Sequence, residues 1–215
     1  MPRPSSRYER SARQAGYSAI AGVDEAGRGA LFGPVIAAAV ILDPSKPIRG
    51  LNDSKVLDAE RRAVLELRIK ERALEWAVGG ADAFEIDRIN ILQAARLAMK
   101  RAVAKIRPDY LLVDATTVAV TLPQQALIHG DARSFSIAAA SILAKTARDR
   151  MMAAWHDLFP QFNLAGNKGY STPDHLAALN QHGPTSLHRF SFEPVRLASK
   201  RPMWTGYPVQ GELFS

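Results

Sequence analysis

The chain has 215 residues, 47% hydrophobic and 23% charged, enough for one sizeable core and in the range of an ordinary soluble globular protein. It has no cysteine, which excludes disulfides and thiolate metal sites; any metal must take carboxylates, histidines or backbone oxygens, a set suited to magnesium or manganese. The formal net charge of +7 suits a polyanionic partner such as nucleic acid, and no apolar run reaches the length of a membrane span.

Residues 1–16 are polar and arginine-rich, contain Glu9 and lack the apolar core of a secretory signal, so they read as a flexible start of at most about one helical turn. A cytoplasmic protein is expected. Residues 17–24 form a first strand, and residues 33–42, rich in Val, Ile and Ala, a second. The two are close enough for a hairpin, with Gly27, Gly29 and Gly33 in and around its bend. Between them stand adjacent acids, Asp24 and Glu25, followed by the glycine-flanked Arg28. Two like charges about 4 Å apart repel by about 4 kcal/mol at an effective dielectric near 20. Protonation or a bound cation relieves that repulsion, so a divalent metal is one reading of the pair and a solvated turn is the other.

After the loop ending in Asn52-Asp-Ser-Lys55, a charged helix is expected over residues 58–76, with Leu65, Ile69, Ala73 and Trp76 on one face. Asp53 reads as loop or capping chemistry. A short strand at 76–81 precedes an amphipathic helix at 84–106, whose stripe is Leu92, Ala95, Met99, Val103 and Ile106. Residues 110–114 are a buried-type strand ending in Asp114, and 126–129 another, followed by Asp131. The longest helical pattern covers 134–159. A glycine-containing loop at 163–171 leads to a short helix that opens on Thr172-Pro173 and ends at Gly183. Residues 188–195 are aromatic-rich and should dock on the body; the tail from 196 to 215 reads as loose.

Two early antiparallel strands and later helical crossovers predict an α/β fold, a mixed sheet flanked by helices. Asp24, Asp114 and Asp131 all fall at strand ends, which gather at one sheet edge in such folds. Glu25 can join them only if the chain leaves strand geometry there, because neighbouring strand residues face opposite sides. Four carboxylates in one cleft suit two divalent cations and an in-line displacement at phosphate. Asp149, one turn after Lys145, reads as its i, i+4 salt-bridge partner, and Asp43 and Asp109 read as turn residues. The five histidines show no zinc spacing.

Several segments together resemble the bacterial ribonuclease HII family: AGVDEAGRG (21–29), LNDSK (51–55), YLLVDAT (110–116), GDARSFSIAAASILAKTARDR (130–150), NKGYST (167–172) and HRFSFEPV (188–195). They span residues 17–195 in the family's order. The resemblance implies an RNase H-like catalytic domain with a C-terminal helical portion at about 160–195. It implies that Asp24, Glu25, Asp114 and Asp131 hold two divalent ions, Mg2+ or Mn2+. The implied reaction cuts the RNA strand of RNA–DNA hybrids and nicks duplex DNA on the 5′ side of a single ribonucleotide, leaving 3′-hydroxyl and 5′-phosphate ends. Gly27, Arg28 and Gly29, with Tyr170, are implied to read the 2′-hydroxyl; Arg28, Lys55, Lys145 and Lys168 are implied phosphate contacts. The chain departs from the family at Asn167, often histidine, and at Val56, often polar or basic.

The rival readings are a noncatalytic nucleic-acid module on the same fold and the related ribonuclease HIII. The latter usually carries an extra N-terminal substrate-binding domain, for which the residues before Tyr17 are too few. A monomer is expected, with no membrane partner. Gln210-Gly-Glu-Leu-Phe214 resembles the short peptides that bind the bacterial sliding clamp; the alternative is an unused tail.

Overall fold

In a computed structural model of the chain, residues 4–199 are described. Helix α1 (Arg7–Gln14) leads into β1 (Ile20–Ala26), β2 (Val35–Leu42), α2 (Ala59–Arg72) and β3 (Ala73–Ala81). Then come α3 (Ala83–Val103), β4 (Tyr110–Asp114), β5 (Gln124–Leu127) and the long α4 (Phe135–Leu158). Three short helices close the described chain: α5 (Leu164–Asn167), α6 (Pro173–His182) and α7 (Glu193–Ala198). The strands form one mixed sheet in the order β3-β2-β1-β4-β5. β1–β2 and β2–β3 are antiparallel; β1–β4 and β4–β5 are parallel. The expected mixed sheet flanked by helices is therefore the fold, with β1 at its centre.

Strand parity divides the core. Val35, Ala37, Ala39 and Ile41 pack with α3 through Ala94, Ala95, Ala98, Met99 and Ala102. Ala38 and Val40 face α4 and α2, through Ala139, Ile142, Leu143, Leu65 and Ile69. A fully buried Ile or Leu contributes roughly 1.5–3 kcal/mol. Small residues on both sides let the layers approach closely. A Cβ on Gly22 of β1 would lie 2.0 Å from the Ser136 carbonyl carbon, so α4 begins directly on β1. A third cluster, including Phe32, Met152, Phe162, Leu179 and Val195, joins the C-terminal helices to the far half of α4. Residues 188–195 dock as expected, with Phe32 and His188 bridged.

Several boundaries differ from expectation. α2 stops at Arg72 because Ala73 turns extended and pairs with Leu42, so Trp76 lies on β3 and not on the helix face. α3 is broken at Asn90 (φ 66°), whose side chain accepts the amides of Leu92 and Gln93. That break rotates the second half of α3, and Leu92 is exposed rather than on the buried stripe. β1 runs through Glu25 to Ala26, two residues beyond Asp24. The start of the chain holds a two-turn helix, α1, with Ala12 buried. Its Glu9 is 3% exposed and accepts hydrogen bonds from Ser134 Oγ (2.7 Å) and Ser136 N (2.9 Å). No described helix is long and apolar enough to cross a membrane.

Candidate functional site

The four acids meet at one end of the sheet, and each is placed by a different local device. Asp24 lies one step past the last registered β1–β4 pair, Val23 and Val113, which brings it beside Asp114 at the end of β4. Asp131 sits in a 3-10 turn, Gly130–Ala132, between β5 and α4. The left-handed His129 (φ 54°) starts that turn, and the Gly130 amide donates to Asp114 Oδ1 at 2.7 Å, tying the third acid to the fourth. Parity puts Asp24 and Asp114 on the α4 side. Glu25 falls on the other side at the strand's end, and the chain leaves strand geometry at Gly27 (φ 92°), two residues later than the sequence suggested.

Electrostatics ties the four together. Burial first, then the charges of Glu25 and Asp114, push the Asp24 carboxyl well above the usual range, and Asp131 adds to this. Glu25 is pushed up by burial and by Asp114, against the relief given by Arg28. Asp131 is raised by burial, by Asp53 and by Asp114, against Lys55. The existing relief is partial: Arg28 Nη1 donates to Glu25 Oε1 at 3.3 Å, and Lys55 Nζ lies 3.9 Å from Asp131 Oδ2. Asp24 Oδ1 accepts the Glu25 amide at 2.7 Å, and the nearby Ser141 hydroxyl eases the upward push on its carboxyl. Glu25 Oε2 is buried without a hydrogen-bond partner.

This donor set fits a hard divalent cation. It is all oxygen, it is crowded and desolvated, and one buried oxygen is unsatisfied. Among the described residues no three acidic or histidine side chains are arranged to enclose one ion.

The other sequence-derived residues fall in three groups. Gly27 is buried, while Arg28 and Gly29 are exposed beside the acids, and Tyr170 Cε1 lies 4.0 Å from a Cβ built on Gly29. Lys55 projects into solvent at the rim, its loop pinned by the bond from its amide to Asp53 Oδ1. Lys168 is left-handed (φ 54°), and its ammonium donates to the Ala165 carbonyl. Lys145 is committed elsewhere: its ammonium donates to Asp149 Oδ1 at 2.6 Å, and Arg62 reaches the same carboxylate at 3.6 Å. Asp149 is thus the salt-bridge partner that its spacing suggested. Asp43 binds Ser45 as a turn residue does, and Asp109 is structural in another way, accepting the Ser18 and Ala19 amides and so tying the start of β4 to the segment before β1. Val56 is exposed.

Two residues beside the acids, Asp53 and Ser141, carry no site role in the sequence reading, which takes Asp53 as loop or capping chemistry, in keeping with its bond to the Lys55 amide. Asp53 is close enough to act on Asp131, a fifth acid at the rim. Ser141 Oγ is hydrogen-bonded to Ser54 Oγ at 2.8 Å beside Asp24, so α4 and the 52–55 loop meet in one buried contact next to β1. A serine amid alanines on an otherwise apolar helix face was the available signal.

Comparison with known proteins gives a consistent result. The sequence model of the family described as Ribonuclease HII matches residues 21–195. A protein named Ribonuclease HII from Solibacter usitatus is 58% identical over 197 residues, covering 91% of this chain and 86% of its own. The crystal structure of the ribonuclease H2 from Pyrococcus horikoshii OT3 superposes with a TM-score of 0.72 at 26% identity, covering 86% of this chain and 98% of that one. The ribonuclease HII in the PCNA complex from Archaeoglobus fulgidus gives 0.72 at 25% identity, over 82% and 96%.

Proposed function

The chain belongs to the ribonuclease HII family of endonucleases, which cleave the RNA strand of RNA–DNA hybrids, and from that premise we propose how its residues carry out the cut. The observation that carries the reading is the convergence of Asp24, Glu25, Asp114 and Asp131 at one desolvated sheet end. These four carboxylates would hold two divalent ions, Mg2+ or Mn2+. The chemistry such ions supply when bound is an activated water and charge stabilisation at the scissile phosphate. Burial keeps competing water away from the acids, and the Gly130 and Glu25 amides fix the orientation of Asp114 and Asp24.

The substrate includes a single ribonucleotide embedded in duplex DNA, nicked on its 5′ side. That substrate differs from DNA at one 2′-hydroxyl, so the protein needs close donors and acceptors there. The exposed Arg28-Gly29 backbone and the Tyr170 ring line the approach to the acids and supply that reading. Arg28, Lys55 and Lys168 meet phosphates; Lys145 does so only after leaving Asp149. Residues 17–195 form the catalytic unit.

The test is a duplex with one ribonucleotide, incubated with Mg2+ or Mn2+ and separately with chelator. The reading requires one nick, 5′ of the ribonucleotide, with 3′-hydroxyl and 5′-phosphate ends and none under chelation. A folded, metal-supplied chain that leaves the duplex intact refutes it.

A partner is also proposed. A relative was solved as a PCNA complex, and Gln210–Phe214 resembles a clamp-binding peptide, although it lies outside the described residues. Removing residues 209–215 should abolish binding to a bacterial sliding clamp; unchanged binding refutes the assignment.

A further inference from the structure

Arg148 on α4 and Arg189, in the segment after α6, are 0% exposed, yet neither forms an ion pair among the described residues. Buried charge without a counter-charge is costly, so such arginines persist only where their donors are used. Here the donors go to backbone carbonyls of the two loops that flank the approach to the acids. Arg148 donates to Pro34 O (3.2 Å), Phe32 O (3.0 Å) and, in the neighbouring loop, Lys168 O (2.8 Å). Arg189 donates to Gly33 O and Arg28 O, both at 2.8 Å. Its Nη2 is buried without a partner.

The two arginines also touch the reading elements. The Arg148 guanidinium lies 5.5 Å from the centre of the Tyr170 ring. A Cβ on Gly27 would fall 2.0 Å from Arg148 Nε, so the glycine at that position leaves room for the arginine. The loops are further joined by Leu31 N donating to Gly169 O (2.7 Å).

We propose that Arg148 and Arg189 are positioning residues: they set the gap between the Gly27–Gly29 backbone and Tyr170, and so determine how well the enzyme distinguishes a ribonucleotide from a deoxyribonucleotide. The planar fork is the reason for arginine. One guanidinium bonds several carbonyls in fixed geometry, whereas a lysine ammonium is a point charge on a flexible stem. This inference rests on the proposed reading of the 27–29 and 170 loops as the 2′-hydroxyl sensor.

The experiment compares wild type with R148K and R189K, variants that keep the charge and lose the fork. Dissociation constants are measured under chelation for a duplex with one ribonucleotide and for the same duplex in all-DNA form, and kcat is measured with Mg2+. Each variant should hold the all-DNA duplex within about twofold of wild type and lose most of the wild-type preference for the ribonucleotide. Its kcat should fall about tenfold or more, as expected for small displacements of positioned groups. Unchanged preference and kcat overturn the proposal; so does an equal loss of affinity for both duplexes by a variant that is folded. If R148K fails to fold, R189K, which keeps all three Arg148 bonds, carries the same comparison. A wild type that shows neither nicking nor any preference for the ribonucleotide would instead refute the reading beneath it.

Discussion

Asn167 stands where the family often has histidine, and its bonds give it a bracing role. Its Nδ2 donates to Phe162 O (2.7 Å) and Asp174 Oδ2 (3.1 Å), while its Oδ1 accepts the Gly169 amide (2.8 Å). The side chain is buried and holds the start of the Lys168–Tyr170 turn from behind. Glu9 has a similar task at the other end of the chain. Replacing it with Ala would strand the Ser134 hydroxyl and Ser136 amide, and unfolding by urea should show a loss of about 1–3 kcal/mol. Lys55, at the exposed rim, is proposed as a phosphate contact, and its exposure leaves it little to contribute to stability. Lys55→Ala should weaken binding to any duplex, irrespective of sequence. It should lower the slope of log K against log salt by about 0.9, the share of one phosphate contact. An unchanged slope would remove Lys55 from the phosphate path.

At the scale of elements, the contact between β1 and α4 fixes the site, because it sets Asp24 against Ser141 and the Asp131 turn. Gly22→Ala would drive a methyl group into the Ser136 and Ile137 backbone, at 2.0–2.3 Å. Backbone cannot move aside as a side-chain tip can, so the loss should reach or exceed about 3 kcal/mol, the upper end of overpacking costs. The C-terminal part has its own internal brace. His175 Nδ1 bonds Tyr170 O (2.9 Å), His175 Nε2 meets His188 Nε2 (3.1 Å), and His188 Nδ1 accepts the Thr185 amide (3.0 Å). This chain of bonds fixes one neutral tautomer of each ring. Burial, then the His175 charge, lower His188 to about 3, and burial lowers His175. The unfolded chain therefore takes up protons below pH ~6.5 that the native pair refuses, so stability falls as pH falls. Between pH 7 and pH 5, wild type should lose about 2 kcal/mol more than His188→Gln does over the same interval. Parallel loss in both proteins would contradict a neutral pair.

Much of this architecture is legible as pattern. The strands at 35–42 and 110–114, the long helix with its serine cap at 134, and the Thr172-Pro173 start are all local signals. Two of the misreadings come from long-range pairing, whereas the break of α3 that takes Leu92 off its stripe is local, made by the Asn90 side chain. Ala73 and Trp76 fit a helix stripe until β2 offers them a partner strand. The polar sequence at 7–14 shows no reason to dock until Ser134 and Ser136 meet Glu9, 125 and 127 residues apart in the chain. In the site, the acids were visible because adjacent or strand-terminal carboxylates are unusual. Arg148, Arg189 and the histidine pair were not, because no local pattern distinguishes a buried arginine from a surface one.

Over the whole molecule, charge and shape support one account. A chain of net charge +7 carries a cluster of acids that Arg28 and Lys55 leave only partly neutralised. The sheet brings those acids from three separated segments to one end, and the C-terminal helices bring Tyr170 opposite Gly29. The proposed mechanism makes cutting depend on the acids acting as a set. The most direct test is the rate at which Asp24→Asn nicks a duplex holding one ribonucleotide, measured with Mg2+ beside the wild type. Loss of an outer partner of a metal ligand typically costs 10–100-fold, so loss of a ligand should slow the nick by at least about 100-fold. The fold should remain intact, because the substitution removes a repelled, buried charge. Nicking by Asp24→Asn at the wild-type rate would take Asp24 out of the metal site and contradict the account.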